Sequence, residues 1–104
     1  MNEYQAYVDE QRKKYRKWQH RVRAGLPKLA SRVFALRAVS YPGYGFHYGM
    51  ERSLGRVIAL VSDYGRYLDA ADIVIDQIVV ADLYRDVAKA EASALTGKNG
   101  GHEA

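Results

Sequence analysis

The chain has 104 residues, 48% of them apolar, with 16 Lys or Arg against 12 Asp or Glu and no cysteine. One domain fills that length. The lack of cysteine excludes disulfide frameworks, thiolate metal sites and cysteine nucleophiles. The longest apolar run, Val57 to Val61, falls far short of the roughly twenty residues that span a bilayer. A start that is polar from the second residue gives no sign of a secretory leader, so no membrane association and a cytoplasmic setting are expected.

Residues 3–24 lack Gly and Pro and carry a stripe of Tyr4, Val8, Gln11, Tyr15, Trp18 and Val22. Steps of four and three place these six on one side of an α-helix. Acids near its start and bases near its end agree with the helix dipole. Residues 1–38 hold ten Lys or Arg and three acids, a balance of +7, and the remainder balances at −3. The densest cations are Arg12, Lys13, Lys14, Arg16, Lys17, Arg21 and Arg23, with Lys28, Arg32 and Arg37 extending them. One-signed charge on one element attracts polyanions or acidic protein surfaces.

Gly25-Leu26-Pro27 interrupts the pattern, and two outcomes stay open: one kinked helix or a short hairpin. Helical spacing resumes over 27–39, with Leu29, Val33, Leu36 and Phe34 inward. Residues 40–49, SYPGYGFHYG, read as a Gly-rich loop in which Tyr41, Tyr44, Phe46, His47 and Tyr48 are aromatic.

A second helix is expected from Met50 to Leu68, on a seam of Met50, Leu54, Val57, Val61, Tyr64 and Leu68. Gly55 with Ala59 would give a flat patch for close helix approach, and Gly65 would mark a kink or an end. Asp69 and Asp72 form an acid-for-acid capping box at the start of a last helix, Ala70 to Leu95. There, Ile75, Val79, Leu83 and Val87 face one way while Ile73, Val80 and Tyr84 face another. A helix apolar on more than one side is buried centrally or by self-association. The polar, Gly-rich residues 96–104 are expected to form a flexible tail after a single domain over 1–95.

The expected architecture is therefore an all-α bundle of three or four helices with one aromatic, Gly-rich loop. Its core should hold Val8, Tyr15, Trp18, Val22, Val33, Leu36, Leu54, Val57, Val61, Leu68, Ile75, Val79 and Leu83. The apolar surplus on the last helix predicts a homo-oligomer.

Catalytic features are sparse. His20, His47 and His102 have no partner at zinc-ligand spacing, so neither a metal nor a cofactor is expected. Asp69, Asp72 and Asp76 share a face, but one helix face supplies too few converging oxygens for a hard cation. His47 and Glu51 could act as acid and base in a ribonuclease, against the simpler reading of a helix-start ion pair. Phosphate-binding loops and nucleophile elbows are lacking, and no catalytic residue is assigned.

Binding is the better-founded expectation. Arg12, Lys13, Lys14, Arg16, Lys17, Arg21, Arg23 and Lys28 would contact nucleic-acid phosphates. Tyr41, Tyr44, Phe46, His47 and Tyr48 would stack on bases or anchor a partner. The alternative is an adaptor or inhibitor that meets another protein through that loop and its charged helix faces.

Overall fold

A computed structural model describes residues 2–37, 45–63 and 69–100, with the backbone alone for residues 45–48 and 95–100. Among the described residues the chain is all-helical, with three helices and no strand: α1 (Glu3–Arg37), α2 (Gly45–Ser62) and α3 (Ala70–Gly100).

The helix order follows from the contacts. Tyr15 of α1 meets Asp76 of α3, and further along Arg32 meets Glu91, so α1 and α3 run parallel. Gln19 of α1 meets Leu60 of α2, whereas Arg37 meets Glu51, so α2 runs antiparallel to α1. The result is an up-down-up bundle, 66 Å along its longest axis.

Local chemistry explains the helix ends. Asn2 caps α1: its Oδ1 accepts from the Gln5 N–H at 2.7 Å, covering one of the orphan donors of the first turn. At α3 the expected capping box is present in both directions. The Asp72 N–H donates to Asp69 Oδ1 (2.9 Å) and the Asp69 N–H to Asp72 Oδ2 (3.2 Å).

α1 is a single helix through Pro27, which decides between the two outcomes left open there. The buried seam passes straight through the proline: Val22, half-buried Leu26, Leu29, Val33 and Leu36 keep the four-three spacing. Burial on both sides of Pro27 outweighs the one backbone hydrogen bond that the ring removes. Gly25 serves a close approach, not a left-handed cap. A Cβ there would lie 3.2 Å from the Tyr84 hydroxyl of α3.

α2 differs from expectation at both ends. It begins at Gly45, so Phe46, His47, Tyr48 and Gly49 form helical backbone where a loop was expected. Glycine costs only about 1 kcal/mol in a helix, which tertiary packing overrides. α2 then stops at Ser62, with Asp63 already outside the helix, short of the expected Leu68. Two contacts act at that end. Ser62 Oγ donates back to the Ile58 carbonyl (2.8 Å), and Gln19 Nε2 donates to the Leu60 carbonyl (2.6 Å). Gly55 is exposed, and a Cβ added there would meet nothing within 4 Å, so among the described residues no helix approaches it closely. Tyr41, Tyr44, Tyr64, Gly65 and Leu68 lie outside the described residues.

The core holds Tyr15, Val22, Leu29, Val33 and Leu36 of α1. From α2 come Met50, Leu54, Val57, Leu60 and Val61, and from α3 Val80, Leu83 and Val87. Of the residues expected there, Val8, Trp18 and Val79 are half-buried and Ile75 is exposed, as are Tyr4 of the α1 stripe and Phe34, read as inward. Leu83 and Val87 are buried as expected, but in the first half of α3 the inward positions are one residue later, Asp76 and Val80 in place of Ile75 and Val79. Tyr15 donates its phenolic hydrogen to that carboxylate (Oη to Oδ2, 2.5 Å), which satisfies a buried acid that hydrophobicity alone would place outside. Gln19, fully buried, is the polar member of the α1 seam, whereas Gln11 is half-buried. α3 continues as helix past Leu95 to Gly100.

Candidate functional site

All ten cations of the N-terminal 38 residues lie on α1, and the seam facing α2 and α3 determines which of them reach water. Counting about 100° per residue from Tyr15, the positions 13, 17, 21 and 28 fall on the side opposite the seam. Lys13, Lys17, Arg21 and Lys28 are exposed, as is Lys14 on the adjoining flank. They form a ridge about 22 Å long at 1.5 Å rise per residue. Among the described residues, no carboxylate pairs with any of these five.

The other expected phosphate contacts are placed differently. Arg12 and Arg16 are half-buried on the flank, and the Arg16 Nη1 atom is itself buried. Arg23 is exposed but already engaged in an interaction, as are Arg12 and His20. Arg32 and Arg37 do not extend the basic surface freely. Arg32 grips Glu91 with two hydrogen bonds, Nη2 to Oε1 at 2.6 Å and Nε to Oε2 at 3.0 Å. That contact holds the Glu91 carboxyl below its ordinary range, and it raises the Arg32 guanidinium in turn. Arg37 donates to Glu51 and ties α1 to α2. Glu51, the acid of the ribonuclease alternative, is thus bonded to an arginine.

Of the aromatic set, Phe46, His47 and Tyr48 sit on the first turn of α2, while Tyr41 and Tyr44 lie outside the described residues. Tyr15 is buried, with its ring centroid 5.4 Å from that of half-buried Trp18, so these two serve packing.

Sequence reasoning missed a feature next to the ridge. Where α1 and α3 run side by side, a groove of about 170 Å³ opens between them. Tyr7, Gln11, Lys14 and Tyr15 line it from α1, and Ala70, Ile73, Val74 and Gln77 from α3. Spacing of four residues within each helix (7 and 11, 73 and 77) was the available signal. It gains meaning only once α1 and α3 are known to be parallel and in this register.

A second patch lies on the outward side of α3, where Val74, Ile75 and Ile78 are each about half exposed. No helix among the described residues is long and apolar enough to cross a membrane. Nor, among those residues, do three or more His, Cys, Asp or Glu side chains gather as a metal site would require. Compared with protein-family models, curated proteins and solved structures, the chain matches none.

Proposed function

We propose that this is a small, non-enzymatic accessory protein that binds nucleic acid through the outward face of α1 and acts as a homo-oligomer. One observation carries the proposal: Lys13, Lys14, Lys17, Arg21 and Lys28 are exposed together, and among the described residues none is neutralised by the protein's own carboxylates. A straight row of cations on a rigid helix suits a phosphate backbone, whose contacts supply most non-specific affinity. The aromatic residues of the 40–49 segment would add stacking partners. The half-exposed row of Val74, Ile75 and Ile78 supports self-association, because large apolar patches mark interaction surfaces. A cytoplasmic setting agrees with the absence of cysteine.

The test is charge reversal. Lys13→Glu with Lys17→Glu should weaken binding to RNA and DNA strands of any sequence alike, since phosphate contacts carry no sequence information. Unchanged affinity would refute the proposal.

The same apolar row favours a second reading, an adaptor whose α3 face meets another protein. It calls for a different result: Ile75→Asp with Ile78→Asp abolishes partner capture, while nucleic-acid binding is absent throughout.

A further inference from the structure

We infer that the groove between α1 and α3 receives an unpaired base of a single-stranded nucleic acid whose backbone lies along the α1 ridge. The inference rests on the nucleic-acid reading above and goes beyond it by naming the strandedness of the ligand and the residues that would select it.

Three features of the groove fit that occupant. The first is size. At about 170 Å³ the groove is below the ~300–1,000 Å³ clefts that take drug-sized ligands, so it suits a fragment such as one ring system. The second is chemistry. Tyr7 is 59% exposed and offers an aromatic face, Ile73 and Val74 form an apolar wall, and the amides of Gln11 and Gln77 line the opening. Among the described residues neither amide has a hydrogen-bond partner, so each keeps a donor and an acceptor for the edge of a base. The Tyr15 hydroxyl at the groove is already committed to Asp76. The third is charge. Lys14 belongs to both the groove and the ridge, so a base seated in the groove would leave the backbone beside Lys14, with Lys17 about one turn further along the ridge.

A base paired inside a duplex cannot turn into such a groove. Unpaired bases can, and aromatic stacking rewards them whatever their identity. The surface therefore favours single strands, where a plain cationic ridge would take duplex and single strand alike.

Fluorescence anisotropy tests this with three labelled probes: an RNA dodecamer of all four bases without self-complementarity, its duplex, and an abasic strand of equal length. The wild-type protein should bind the single strand about tenfold tighter than the abasic strand, the effect of one stacked base. Tyr7→Ala should weaken the single strand about tenfold, towards the abasic level, and leave the other two probes unchanged. Gln77→Ala should reduce the same preference by a smaller factor. Tyr7 is largely exposed, and circular dichroism of the variant verifies that the helices persist. If all three probes bind equally and Tyr7→Ala changes nothing, while Lys13→Glu with Lys17→Glu weakens each, the base site is wrong and the ridge reading stands. If no probe binds, both fall.

Discussion

The two ends of this bundle are built differently. Where α2 lies against α1 and α3, the interior is closed: Val33, Val57 and Val87 have no exposure at all. Beyond the end of α2, among the described residues, α1 and the first turns of α3 continue, and there Tyr4 is 74% exposed and Ile78 53%. The cause is length. At 1.5 Å per residue α2 spans about 27 Å and α1 about 52 Å, so two helices must run on without the third. A two-helix layer cannot enclose its own side chains. Ile73 and Val74 line the groove beside Lys14 there. On the reading proposed above the open end meets the bases of the ligand, while the cationic ridge runs on alongside α2 through Arg21 and Lys28.

The sharpest way to break this contrast is to truncate one apolar side chain at each end. Leu83→Ala in the closed end should cost about 2–5 kcal/mol in denaturant unfolding. Ile75→Ala in the open end should stay within about 0.5 kcal/mol for the monomer. Equal losses would show that the open end is packed in solution.

Tyr15 stands where the two regions join. Tyr15→Phe removes a donor from the buried Asp76 carboxylate and should cost about 1–3 kcal/mol, measured the same way. A loss near zero would mean that other groups satisfy Asp76 without the Tyr15 hydroxyl. Gly55→Ala should act in the opposite direction, adding up to about 1 kcal/mol, because an exposed helical position with open space gains the helix propensity of alanine.

The smallest effect concerns pH. The Glu91 carboxyl is lowered by the hydrogen bonds from Arg32, so its contribution is present above the unfolded-state carboxylate range. It is lost as pH falls through the lowered folded value. Both side chains are about a third exposed, so the pair contributes less than about 1 kcal/mol. The stability gap between the wild type and Glu91→Gln should close on acidification; a constant gap would assign it to packing.

Much of this architecture can be read from spacing. The four-three alternation identifies α1 and most of α2, the four-residue apolar spacing identifies α3, and Asp69 with Asp72 marks the start of α3 correctly. The seam of α1 also fixes which cations point outward, which is why the ridge could be anticipated. Other features depend on partners far away in the chain. Asp76 is inside with the Tyr15 hydroxyl bonded to it, so choosing apolar residues alone put Ile75 in its place. Gln19 is buried because it covers the end of α2, and Pro27 is tolerated because α2 and α3 bury the seam on both sides of it. The groove leaves only a four-residue spacing within each helix (7 and 11, 73 and 77), which gains meaning once the two helices are side by side.

The central claim is that the outward cations of α1 displace counterions from a nucleic-acid backbone. The dependence of binding on salt measures this directly, because log K falls with log[salt] by about 0.7 for each phosphate contacted on a single strand. Five cations therefore give a slope of roughly −3.5, and Lys13→Gln with Lys17→Gln should bring it to roughly −2. A slope near zero, or one that the two substitutions leave unchanged, would contradict the account.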